Sequence, residues 1–163
     1  MKEIEFTDDF LIIRQKSLIL KLRSLGAGVE DENETKITFL EAAYFADRGV
    51  LPVPKDELLQ YAAKKDKLCA EKYHVIKYLR DRGYIVRPSL DGTSFLRLHR
   101  KGVRPGEDKT YYLIEVVPKT WKASVETLTP SLETAGRLRK ELAIAIVDGE
   151  EPKFMKFARL NFE

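Results

Sequence analysis

Hydrophobic positions change their period several times along the chain, and each change predicts an element. Residues 10–14 and 17–23 are short Leu/Ile-rich runs that read as strands, and 26–35 is an acidic, turn-rich connection. From Thr38 the period becomes helical. Leu40, Ala43, Tyr44 and Phe45 share an apolar face, Thr38 and Glu41 have capping-box spacing, and Gly49 offers the left-handed stop. Residues 50–53 form an extended piece around Pro52, and 55–64 predicts a second helix with Leu58, Leu59 and Ala62 turned inward. The strongest helical pattern is 68–82, where Cys69, Tyr73, Ile76 and Leu79 line one stripe ahead of Gly83. Strand signals follow at 84–87, 95–99, 111–117 and 143–147, with turn-rich connections at 88–93 and 101–108. Thr129-Pro130 reads as the opening of a short helix, with proline at its first position. Asp148-Gly149 marks a turn, and 154–162 reads as a last strand.

This order predicts an α+β fold: a small N-terminal α/β domain over 1–65, then a C-terminal mixed β-sheet domain flanked by helices over 66–163. The charged stretch Lys64-Lys65-Asp66-Lys67 is the expected boundary.

Composition narrows the function classes. One cysteine, Cys69, excludes a disulfide framework, and two histidines, His74 and His99, leave little for a transition metal. The longest apolar run, 142–147, is too short to span a bilayer, and nothing after Met1 resembles a signal segment. The expectation is a soluble cytoplasmic protein with no metal, no cofactor and no membrane partner. The net charge of +3 is unevenly spread, with 10 basic and 12 acidic residues in 1–65 against 19 and 14 in the remainder. A basic C-terminal part interleaved with aromatics is compatible with a polyanion, and equally with a solvated face. There is no glycine-rich phosphate loop, GxSxG elbow or HExxH pair, and Cys69 on an inward helical face reads as a structural thiol. The residues alone give a basic α/β domain with RNA as one candidate partner.

The C-terminal part resembles a family. The segment 71–87, from Glu71-Lys72-Tyr73 through Leu79-Arg80-Asp81-Arg82-Gly83-Tyr84-Ile85-Val86-Arg87, is similar to the YxxYxxLRxRGYxV signature of archaeal tRNA-splicing endonucleases. In the family's order there follow Gly92, the strand 95–99, Pro105-Gly106-Glu107, the strand 109–117, Leu138-Arg139-Lys140, the apolar 142–147 and the acidic 148–151. Phe39-Leu40-Glu41-Ala42-Ala43-Tyr44 and Arg48-Gly49-Val50-Leu51 are similar to the family's LxxxEAxYLxxxGxL pattern.

The resemblance implies metal-independent RNA cleavage, in which a ribose 2′-hydroxyl attacks the adjacent phosphate to leave a 2′,3′-cyclic phosphate and a 5′-hydroxyl. Such chemistry needs a base, an acid and a cation, and the family uses Tyr, His and Lys. Here the Tyr slot falls on His99, or on Leu98 without an insertion. The His slot falls on Lys109 and the Lys slot on Lys140. Only the lysine is kept; a lysine acid at Lys109 needs its ordinary pKa of about 10.4 lowered substantially. His99, beside Arg97 and Arg100, reads as an edge-strand surface residue, and Lys140 doubles as a cation at a helix end.

The resemblance also implies an assembly role: a noncatalytic, structural subunit forming a heterotetramer with a catalytic paralogue on precursor tRNA. Asp148, Glu150 and Glu151 would be its acidic docking turn, and Phe154, Ala158, Leu160 and Phe162 would line the following strand as interface. Arg97, Arg100, Lys101 and Arg104 would contact RNA phosphates. The alternatives are an active homo-oligomeric endonuclease using His99, Lys109 and Lys140, and a nonenzymatic RNA-binding scaffold.

Overall fold

Two sheets, linked by three consecutive helices, organise the chain. The computed structural model describes residues 2–89, 94–101, 110–149 and 151–162. The first sheet is antiparallel, with β1 (Ile4–Phe6), β2 (Phe10–Ile13), β4 (Glu34–Thr38) and β3 (Val29–Asp31) in that spatial order. Leu11, Ile13 and Ile37 alternate inward along β2 and β4 and are fully or almost fully buried.

Two expectations change here. The run at 17–23 is helix α1 (Lys16–Ser24), not a strand. Leu18, Leu22 and Leu25 recur at i, i+4 and i+7, the period of a helical face, while Leu20 points to solvent. The turn-rich 26–35 stretch contains hairpin β3–β4, with Asp31 opposite Glu34.

Helices α2 (Phe39–Asp47), α3 (Lys55–Ala63) and α4 (Cys69–Asp81) follow. Thr38 caps α2, its Oγ1 accepting from the Glu41 N–H at 3.3 Å. The reciprocal half of the expected box is replaced, because the Glu41 carboxylate turns to Arg80. Cys69 is buried, and burial pushes its thiol pKa up, as expected of a structural cysteine.

The second sheet runs β5 (Val86–Pro88), β6 (Leu96–His99), β7 (Thr110–Val117), β8 (Glu141–Val147) and β9 (Pro152–Phe157). Every neighbouring pair is antiparallel except β7–β8, which is parallel and therefore needs the crossover that α5 (Val125–Arg137) supplies. Helix α5 begins earlier than Thr129-Pro130 suggests. Ser124 and Thr127 form a true capping box, with Oγ of Ser124 accepting at 3.1 Å and Oγ1 of Thr127 at 2.9 Å. Pro130 consequently lies inside the helix, where it removes one backbone bond. Strand β9 also shifts: Pro152 opens it opposite Val147, a position that suits proline, and it ends at Phe157 rather than 162.

The mixed sheet is covered on both faces. Ile114, Val116, Ala143 and Ala145 join one cluster that runs through α4 and α2 to the first sheet. Leu113, Val117, Leu142 and Ile144 pack under Ala135 of α5. Burial on both sides explains the uninterrupted apolar run at 142–147. Each fully buried Leu or Ile there stabilises by about 1.5–3 kcal/mol over exposure. Among the described residues no helix is long and apolar enough to cross a membrane.

A polar seam ties the two halves of this cluster. The Arg80 guanidinium donates to the carbonyls of Leu25 (2.7 Å) and Gly26 (3.1 Å) and to Glu41 Oε1 (2.9 Å), with side chains 6% and 3% exposed. Arg87 donates to the Gly28 carbonyl at 2.9 Å. The loop must come this close: Gly26 has φ +63°, and a Cβ there would lie 2.7 Å from Ile85 Cδ1.

Candidate functional site at one end of the mixed sheet

Helices α1, α2, α4 and α5 end in the same backbone motif, a 6→1 bond enclosing a 5→2 bond. In the first three the left-handed residue is glycine: Gly26, Gly49 and Gly83. In α5 it is Arg139, at φ +54°, with Lys140 N–H bonded to Ala135 O at 2.9 Å and Arg139 N–H to Gly136 O at 3.1 Å. Lys140, half-buried, is thereby fixed one residue before β8.

Sheet register then gathers chemistry at this end. His99 lies opposite Thr110 and Leu98 opposite Tyr112, across a shift in register between Leu98 and His99. Tyr112 lies beside Glu141 in the parallel pair, and Lys140 immediately precedes that first paired residue of β8. Glu141 accepts an ion pair from Lys156 of β9 at 2.9 Å. The rings of Tyr111 and Tyr112 meet edge to face at 4.3 Å, and the Arg100 guanidinium lies 4.5 Å over Tyr111.

The electrostatics follow from these contacts. The hydrogen bond from Lys156 holds the Glu141 carboxyl below its ordinary value, helped by the charge of Lys156, a bond from Tyr112 and the charge of Arg100. The Tyr112 hydroxyl is pushed up by its hydrogen bond to Tyr111, by burial and by the Glu141 charge.

His99 departs from expectation. It lies on β6, an inner strand, its backbone N–H bonds Ile85 O at 2.8 Å, and the residue is 2% exposed rather than at an edge surface. Burial follows from β5 and β7 flanking β6 on both sides. Lys109, Arg104 and Glu150 lie outside the described residues. Of the other expected RNA contacts, Arg97 is half-buried, Arg100 and Lys101 are exposed, and Lys101 Nζ sits 4.7 Å over the Tyr84 ring.

The expected docking residues lie elsewhere, on the β8–β9 turn and beyond it. Asp148 is exposed, and Glu151 faces Arg82 at 3.9 Å. Phe154 packs on Tyr78 with ring centroids 5.9 Å apart but stays partly exposed on the edge strand β9. Leu160 and Phe162 are 81% and 92% exposed, so this chain does not cover them.

Residues 69–153 match the family model described as tRNA intron endonuclease, catalytic C-terminal domain. A tRNA-splicing endonuclease of Thermococcus onnurineus is 35% identical over 119 residues, covering 69% of this chain and 68% of its own length. The chain belongs to the tRNA intron endonuclease family. Other members extend the match: the tRNA-splicing endonuclease of Pyrococcus abyssi is 32% identical over 157 residues, 90% of each chain. That of Methanothermobacter thermautotrophicus is 28% identical over 155 residues, 91% of each. The endonuclease-family match spans α4, β5 to β8, α5 and the first two residues of β9, and so includes Lys140.

Tyr111, Tyr112, Glu141 and Lys156 were not singled out by sequence reasoning. The adjacent tyrosines at a strand start were the visible cue. Their meeting with Glu141 and Lys156 depends on β7–β8–β9 register, which no single segment encodes.

Proposed function

We propose that this chain is a noncatalytic, structural subunit of a tRNA-splicing endonuclease, assembling with a catalytic paralogue in an α2β2-type heterotetramer on precursor tRNA. The observation that carries this reading is the set of residue types in the three expected slots. His99, 2% exposed, stands in the Tyr slot and Lys109 in the His slot, so only the cation, Lys140, is kept. The exposed Phe154, Leu160 and Phe162 and the acidic Asp148 and Glu151 support an assembly role, as surface left for another subunit. The division into a 1–65 domain and a 66–163 domain belongs to the same reading: the second would carry assembly and RNA contact.

Reconstitution tests it. The chain alone leaves a bulge-helix-bulge RNA intact, and adding a catalytic partner gives cleavage to a 2′,3′-cyclic phosphate and a 5′-hydroxyl. Replacing Asp148, Glu150 and Glu151 together by Ala abolishes association on gel filtration; an unchanged complex would remove the docking role.

Retention of Lys140 at the sheet end favours a second reading, an active homo-oligomeric endonuclease. Metal-free cleavage by the purified chain, lost in His99→Ala or Lys140→Ala, would establish it in place of the first.

A further inference from the structure

Helix α1 is charged against its surroundings. Residues 1–65 carry 10 basic and 12 acidic residues, yet α1 contains Lys16, Lys21 and Arg23 and no carboxylate. Helix stability does not account for this. Lys16 stands at the first helical position, where the macrodipole disfavours a cation, and Gln15 gives no side-chain cap. With no acidic residue on the helix, neither lysine gains an intrahelical pair. Arg23 is spent on Glu30 through bonds of 2.6 and 2.7 Å, whereas the Lys16 and Lys21 ammonium groups pair with nothing among the described residues. Leu22 is fully buried on the inner side of the helix. On the outer side Lys16, Leu20 and Ser24 form one exposed row, with Ser17 and Lys21 exposed beside it. Lysine and serine are depleted in protein–protein interfaces, and both are common phosphate contacts. The end of α1 is fixed towards the exposed cations of the mixed sheet. Arg80 holds the Leu25 and Gly26 carbonyls, Gly26 lies against Ile85, and the Ile85 carbonyl takes the N–H of His99, next to Arg100 and Lys101.

We propose that the outer face of α1, through Lys16 and Lys21 with Ser17 and Ser24 beside them, contacts the phosphate backbone of a double-helical RNA arm that also rests on Arg100 and Lys101. The inference rests on the reading of this chain as an RNA-contacting subunit. It adds a surface outside residues 69–153, the span of the endonuclease-domain match. Phosphate contacts carry no sequence information, so this face responds to the length of the arm and not to its base sequence.

The test compares a bulged hairpin RNA with a long helical arm and a version whose arm is cut short. Affinity for the full chain is read by fluorescence anisotropy over a series of salt concentrations. On the long arm each lysine lost reduces the slope of log affinity against log salt by about 0.9, so Lys16→Gln with Lys21→Gln reduces it by about 1.8. The pair Lys16→Arg and Lys21→Arg keeps the wild-type slope. On the short arm wild type and the Gln variant bind alike. Lys16→Glu lowers affinity for the long arm yet raises the thermal midpoint, because a carboxylate suits the first turn of a helix. A lowered midpoint would assign this lysine to the fold and overturn the proposal. Equal salt slopes for wild type and the Gln variant on the long arm overturn the α1 surface while leaving the RNA reading standing. Failure of wild type to bind either RNA overturns both.

Discussion

The seam around Arg80 and the sheet end around Tyr111 both set Arg beside Glu, yet the fold uses them in opposite ways. At the seam, every visible contact turns inward: Arg80 spans Leu25, Gly26 and Glu41, and both partners of the ion pair are almost wholly out of water. Burial pushes Glu41 up and Arg80 down, each partly held back by the other's charge. At the sheet end, Glu141 and Lys156 pair while about half exposed, and Arg100 and Tyr111 remain accessible. Charge at the seam is sealed from solvent; charge at the sheet end is paired but left wet.

The contrast breaks most sharply at Arg80. Arg80→Met alone leaves the Glu41 carboxylate buried without its cation and is expected to cost about 3–5 kcal/mol in urea unfolding. Adding Glu41→Leu should restore most of that loss. An Arg80→Met variant as stable as wild type would remove the seam's role. At the sheet end the same operation does little: Lys156→Ala, breaking a surface pair, leaves the thermal midpoint essentially unmoved.

Between these lies the helix end. Arg139 takes a left-handed position that glycine fills in three sister helices, so Arg139→Gly is expected to raise stability by about 0.5–1 kcal/mol. A loss instead would mean that the arginine side chain itself contributes to the fold.

A small effect is expected in pH. The Glu141 carboxyl is held below its ordinary value of 4.5. Its contribution is therefore fully present above that value and is lost as pH falls through the lower folded value. Acid unfolding curves of wild type and Glu141→Gln should differ slightly above this range and converge below it; curves that diverge further as pH falls would reverse the sign.

How much of this was legible in the sequence follows from the range over which each signal acts. Local signals read well: Thr38 capping α2, Gly49 and Gly83 stopping α2 and α4, and the inward stripe of α4 from Cys69 to Leu79. Errors arose where two periods competed. In α1, Leu18, Leu20 and Leu22 alternate like a strand, and only the pairing of Leu18 with Leu22 and Leu25 on one face shows the helix. At α5, the Thr129-Pro130 start signal competes with the Ser124–Thr127 box one turn earlier, and the box sets the boundary. His99 reads as a surface residue because its neighbours Arg97 and Arg100 are polar, whereas its position between two strands decides its burial. Lys140 is legible only through the family resemblance. The Tyr112–Glu141–Lys156 chain had no sequence signal, since three strands must register before those side chains meet.

The chain's lone thiol has a practical consequence. Cys69 lies packed in α4 with its reactivity suppressed, so Ellman's reagent should modify native protein only as fast as that helix opens. A cysteine introduced at an exposed position such as Leu160 would then take a maleimide dye selectively, giving a reporter on either side of a prospective contact without first engineering a background.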